Sequence, residues 1–191
     1  MEYYPLNIGS EWIYQVDSTN FKSFGGDSSR DIFHRKVRYV KTRVDSEDRL
    51  LHEIDIYQKS ITDTIWQYES TFWVYKDAFM VEENRNNIKL VSLVFPVKQN
   101  KAWDGNQLNS MERKAFVYKR VGKTFVDNLS TYTESFMVQR LDDSTFFDQQ
   151  KEIEYYGKNV GLIYKEDINF TTKNDNKSGT KVIWRLLEYR N

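Results

Sequence analysis

The chain has 191 residues, with 28 Lys and Arg balanced by 28 Asp and Glu, so its formal net charge is zero. With no surplus of basic residues it has no electrostatic footprint for nucleic acid or for an anionic membrane surface. With no cysteine it has no disulfide framework, thiol nucleophile or cysteine–zinc site. A chain of this length can bury roughly two-thirds of its unfolded surface, so one β domain spanning 1–191 is expected to fold without a metal, cofactor or covalent staple. The 13 Tyr, 12 Phe and 5 Trp, set against 8 Gly and 2 Pro, favour strands over disorder. No apolar run approaches the roughly 20 residues of a membrane-spanning helix. No secretory leader is read ahead of Tyr3-Tyr4-Pro5-Leu6, which already has the character of folded sequence.

Trp12, Tyr14 and Val16 alternate with smaller or polar residues and share one face of a first strand. Gly, Ser and Asp at 23–31 predict a loop. A strand over 33–44 with a basic outer face follows, then a turn at Asp45-Ser46-Glu47-Asp48. In the next strand Leu50, His52, Ile54 and Ile56 face one way and Glu53, Asp55 and Lys59 the other, the pattern of a half-solvated antiparallel strand. These two strands read as a long hairpin in which Lys36 and Arg38 meet the acidic face of their partner, His34 lies opposite Lys59 and His52 opposite Lys41. Further strands are predicted over 64–76, 79–83, 88–95, 114–121, 134–141, 161–170 and 182–189, with turns at 84–87 and 173–179. The last strand is apolar on both faces, with Val182, Trp184 and Leu186 on one and Ile183 and Leu187 on the other. That places it centrally in the sheet or at the closure of a barrel. The best helical candidate is 144–155.

Tyr4-Pro5-Leu6 followed by Trp12 recurs as Phe95-Pro96-Val97 followed by Trp103 at identical spacing, and these are the chain's two prolines. Gly9 in the first copy aligns with Asn100 in the second, and Gly and Asn are the residues that most readily adopt positive φ. The block reads as a structural plug: proline fixes an extended approach, the aliphatic residue inserts, the chain turns and the tryptophan packs.

The stretch Tyr4-Pro5-Leu6-x-x-Gly9-x-x-Trp12-x-Tyr14 resembles the start of many secreted or lipid-anchored envelope proteins of Bacteroidetes-type bacteria. Gly122-Lys123-Thr124-Phe125 is similar to their mid-chain segment. Glu154-Tyr155-Tyr156-Gly157-x-x-Val160-Gly161-Leu162-Ile163 is similar to their late one. The resemblance spans most of the chain, although Asn100 stands where a second glycine would be more usual and no lipidation cysteine is present. It implies a periplasmic or outer-membrane-associated protein with a curved sheet like the half-barrel of LolA-like lipoprotein carriers. It implies no activity.

The residues carry little catalytic signal. His34 reads as solvated and His52 as a hydrogen-bonded core residue, too far apart for a shared metal. Serine catalysis lacks a nucleophile motif with a base beside it. The adjacent carboxylates Glu82/Glu83 and Asp142/Asp143 point to opposite faces of their strands. The segment 174–179 lacks the closing acid of a calcium loop. What stands out is Trp66-x-Tyr68 and Trp73-x-Tyr75, each putting two rings on one face. Trp66, Tyr68, Trp73 and Tyr75 are the candidate ligand-binding residues, able to stack on a sugar or to line a slot for an acyl chain. The fold expected is mostly β, a large curved antiparallel sheet or an open or half barrel with little helix. The function expected is non-catalytic binding or scaffolding in the envelope, with an apolar or amphiphilic ligand or a partner protein. A glycan-binding module and, last, a carboxylate-based hydrolase are the alternatives.

Overall fold

The structure is a computed structural model that describes residues 3–22, 28–145, 148–173 and 176–191. Among the described residues there is no helix, hence none long and apolar enough to cross a membrane. The first six strands are β1 (Glu11–Phe21), β2 (Ser29–Val44), β3 (Leu50–Ser60), β4 (Gln67–Lys76), β5 (Met80–Arg85) and β6 (Ile88–Val94). The second six are β7 (Ala102–Asp104), β8 (Ala115–Val126), β9 (Thr131–Ser144), β10 (Asp148–Gly157), β11 (Gly161–Lys173) and β12 (Asn176–Arg190). They form one antiparallel sheet in the order β6-β5-β4-β3-β2-β1-β12-β11-β10-β9-β8-β7. Two six-stranded meanders thus lie side by side, joined through β1 and β12.

The sheet curls until it is nearly a closed barrel, which brings its edges together. Val91 N–H on β6 donates to the Gly105 carbonyl just past β7 at 2.9 Å, and Trp103 Nε1 donates to the Val91 carbonyl at 2.8 Å. The buried Tyr118 hydroxyl donates to Val94 O at 2.8 Å and accepts from Val94 N–H at 2.9 Å. An edge strand needs partners for its backbone groups, and a hydroxyl, both donor and acceptor, can serve two of them.

Inside, the strands alternate as their sequences require. Trp12, Tyr14 and Val16 on β1, Ile54 and Ile56 on β3, and Phe72 and Val74 on β4 are buried, while the residues between them face outward. His34 lies opposite Lys59 and Arg38 opposite Asp55. The register then slips beyond Tyr39, so that Lys41 meets Glu53, in a 3.5 Å ion pair, and His52 meets Thr42. The doubly apolar last strand is central, between β1 and β11. Its Leu187 falls at a register slip and is 41% exposed.

Three expectations are corrected. The helix at 144–155 is absent: Ser144 ends β9, and 148–155 belong to β10, where Glu152, Glu154 and Tyr156 face inward and Ile153 and Tyr155 outward. Neighbouring strands on both sides supply its backbone partners, and that tertiary context outweighs weak local propensity. Residues 29–31 of the predicted loop pair with β1, and 23–27 lie outside the described residues. Of the turn at 173–179, Lys173 ends β11 and Asn176 opens β12, with 174–175 outside the described residues. The three-residue β7 is too short to leave an alternation in the sequence.

The repeated block is one device used twice. It leads into β1 and into β7, the first strands of the two meanders, which run in the same direction and so begin at the same end of the barrel. Gly9 and Asn100 have φ of 90° and 63°. Gly9 N–H donates to Tyr39 O and Tyr39 N–H returns to Ser10 O, both at 3.0 Å. Asn100 N–H donates to Tyr118 O at 2.9 Å and Tyr118 N–H returns to Lys101 O at 3.0 Å. Tyr39 and Tyr118 are both among the fully buried side chains.

Candidate functional site

The side chains on the inward face of the sheet pack into a core but leave part of the interior open. A cavity of about 450 Å³ lies in the lumen. One part of its wall is aliphatic and aromatic, with Val37, Ile54, Ile56, Phe72, Leu90 and Leu162. Another part is ionic, with Arg35, Glu69, Glu83, Arg85, Arg140, Glu152, Glu154 and Lys165. These come from eight strands (β2, β3, β4, β5, β6, β9, β10 and β11), so no short stretch of sequence contains the site.

Tyr4-Pro5-Leu6 crosses the lumen at the end where β1 begins, as the plug reading of the first block required. The Tyr4 hydroxyl donates to Glu83 Oε1 at 3.0 Å, and Lys76 Nζ donates to the Tyr4 carbonyl at 2.6 Å. Tyr3 packs edge-on against Phe136, and Tyr4 stacks on Tyr156. Trp12 Nε1 donates to Val160 O at 2.6 Å. A side chain built at Gly161 would come within 3.4 Å of Pro5, and the φ of 94° there suits glycine. Gly122, at φ 70°, turns the chain so that Phe125 packs on Tyr155 and Tyr164, ring centroids 4.4 and 5.4 Å away. The three stretches that resemble envelope proteins therefore meet at this end: the first and the second both pack on the third.

The ionic wall is a connected network around a buried pair. Arg140 Nη2 donates to Glu154 Oε2 at 2.6 Å, and both side chains are 5% exposed. The Tyr156 hydroxyl donates to the same oxygen at 2.8 Å, and Lys165 Nζ lies 3.3 Å from Glu154 Oε1. Burial pushes the Glu154 carboxyl up, but Arg140 and Lys165 outweigh it and hold it down to about 2. Burial likewise pushes Glu83 up, and Arg85 and Arg140 bring it below its ordinary value. Arg35 donates from Nη2 to both oxygens of Glu69 at 2.8 Å and lies 4.6 Å over the Trp184 ring. Glu152 takes Lys114 Nζ at 2.5 Å.

Arg140, Glu152 and Glu154 were missed by sequence reasoning. The available signal was charged residues at inward-facing strand positions, such as Glu152 and Glu154 in line with Tyr156. The helix expectation for 144–155 concealed that parity.

The four aromatics singled out from the sequence lie on the other side of the wall. Tyr68 is 60% exposed, and its hydroxyl is 2.9 Å from Thr71 Oγ1. Trp66, Trp73 and Tyr75 are half-buried beneath cations. Lys36 and Lys59 lie 4.9 and 5.1 Å from the Trp66 ring, Arg43 3.9 Å from Trp73 and Arg49 5.1 Å from Tyr75. None of the four lines the cavity.

Glu82 and Glu83 do point to opposite faces: Glu83 enters the lumen, while Glu82 pairs with Arg49 at 3.2 Å and Lys89 at 3.8 Å. His52 Nδ1 is 2.7 Å from the Tyr39 hydroxyl, and burial followed by the charge of Lys76 lowers its pKa. Among the described residues no group of three His, Asp or Glu could hold a metal ion. Among the described residues the carboxyl pushed up is that of Asp167, opposite Glu152 in the β10–β11 pair and outside the cavity lining. Burial and the Glu152 charge push it up against the opposing Lys165.

No family model matches the chain, and no curated protein matches it. Two solved structures are similar over nearly its whole length. One is a "putative exported protein with YmcC-like fold" from Bacteroides fragilis NCTC 9343, at TM-score 0.49 and 9% identity, covering 99% of this chain and 99% of that one. The other is a "putative lipoprotein" from Parabacteroides distasonis ATCC 8503, at TM-score 0.48 and 14% identity, covering 98% of this chain and 97% of that one.

Proposed function

We propose that this barrel is a non-catalytic binding protein of the bacterial envelope that holds a small amphiphile in its lumen. The carrying observation is the cavity of about 450 Å³ lined by both apolar and ionic side chains. That volume falls within the roughly 300–1,000 Å³ of small-molecule sites, and apolar walls with a few convergent polar groups are their usual lining. A proton-transfer mechanism finds less support: Glu83 and Glu154 are held ionised, so neither supplies a neutral acid at pH 7. The envelope location rests on the resemblance of the three sequence stretches.

Native mass spectrometry of freshly purified protein, followed by solvent extraction, tests the reading. A retained amphiphile is expected, and Leu90→Trp, which puts a large ring into the lumen, should abolish retention. An apo mass together with no uptake of any added amphiphile would sink it. The outer-face aromatics Trp66, Tyr68, Trp73 and Tyr75 are a second candidate surface, for a glycan. The observation favouring it is the exposed Tyr68 ring beside a row of cation-capped rings.

A further inference from the structure

The lumen's hydrogen-bonding capacity is unbalanced. Its carboxylates are engaged. Glu154 accepts from Arg140 and Tyr156 and lies beside Lys165. Glu69 accepts from Arg35 with both oxygens. Glu83 accepts from Tyr4 and Arg85, each at 3.0 Å, and Glu152 from Lys114.

Its guanidiniums are not fully engaged. An arginine carries five N–H donors and no acceptor. Among the described residues Arg140, 5% exposed, gives one hydrogen bond to a protein acceptor, its Nε is buried without a partner, and its Nη1 lies 3.9 Å from Glu152 Oε1, beyond hydrogen-bond range. Arg35 Nε is also buried without a partner, its Nη2 alone serving Glu69. Donors are left over on the ionic wall, whereas each carboxylate there already accepts at least one hydrogen bond. A buried cation short of acceptors is costly, and both guanidiniums line the cavity, so an acceptor carried by its occupant would meet their remaining N–H groups.

We infer that the lumen is built for an anionic amphiphile, with one apolar chain along Val37, Ile54, Ile56, Phe72 and Leu90 and an oxyanion head, carboxylate or phosphate, directed to Arg35 and Arg140. This rests on the lumen being a ligand site. An alcohol head would bring an acceptor without charge, and an ammonium head would bring donors where donors are already in surplus. Charge-assisted hydrogen bonds are the stronger kind, and a planar guanidinium matches an oxyanion geometrically.

The test is calorimetric titration of the full chain with dodecanoate, dodecyl phosphate, dodecanol and dodecyltrimethylammonium, the ionic probes below their micelle concentrations and dodecanol below its solubility limit. One or both anions should bind at least about tenfold tighter than dodecanol, and the ammonium weakest. The stronger of the two anions identifies the head. Arg35→Gln should bring that anion to within about threefold of dodecanol. Glu69, 34% exposed at its side chain, can then turn to solvent, so the fold should survive. If that variant does not fold, Arg35→Lys keeps the charge without the fork and should lose part of the preference. Dodecanol binding as tightly as the anions, the ammonium binding tightest, or a preference untouched in both Arg35 variants would overturn the inference while leaving the lumen a ligand site. Failure of all four probes to bind would overturn the lumen reading itself.

Discussion

At neutral pH the Glu154→Gln variant should be less stable than the parent by about 3 kcal/mol, the equivalent of a carboxyl held near 2 rather than at its ordinary 4.5. The geometry supports a figure of that size. Glu154 is 5% exposed, so its 2.6 Å bond to Arg140 is not screened by solvent, and glutamine keeps its shape while losing the charge that Arg140 and Lys165 require. Because the folded-state pKa is depressed, the carboxylate's contribution is fully present above about 4.5 and disappears as pH falls from there towards 2. Urea titrations of both proteins at pH 7, 5 and 3 should therefore show a gap that is widest at pH 7 and clearly narrower at pH 3. Arg140→Met alone should cost about 3–5 kcal/mol, because it strands a buried carboxylate, and adding Glu154→Gln to it should cost little more. A gap that stays constant with pH, or single losses that simply add, would refute the claim that this pair organises the ionic wall.

Other consequences can be checked separately. Tyr118→Phe removes both hydrogen bonds to Val94 and should destabilise the protein by about 1–3 kcal/mol, with faster hydrogen exchange at the Val94 amide than at buried amides of β1. Gly105→Ala puts a methyl group 2.5 Å from Phe116 Cζ beside the bond that joins Gly105 to Val91, so a loss of about 1–3 kcal/mol is expected in thermal or urea unfolding. Trp66→Ala and Trp73→Ala, on the outside of the wall, should leave dodecanoate or dodecyl phosphate binding unchanged. If the amphiphile instead depends on those rings, calorimetry will show it as weakened binding, and the lumen assignment fails.

A strand's two-residue period decides which residues share a face, and this much the sequence determined by itself. Trp12, Tyr14 and Val16 point together, Phe72 and Val74 point away from Trp73 and Tyr75, and Glu82 and Glu83 part company, all from alternation alone. The pairing of His34 with Lys59 followed from the turn near Ser46, and failed by one residue only past the slip beyond Tyr39. The central place of β12 followed from its two apolar faces, and the paired turns at Gly9 and Asn100 from the need for positive φ. The tertiary structure alone decided which faces look at one another across the lumen. Arg35 on β2 and Glu69 on β4, or Glu83 on β5 and Arg140 on β9, are far apart in sequence, and no local pattern relates them. Sheet twist, register slips and the side-chain bonds that draw β6 to β7 set the curvature, and curvature turns separate inward positions into one wall. The sequence could mark aromatic rings as candidates for binding, but whether a ring faces the lumen or lies outside under a cation depends on the direction in which the sheet curls.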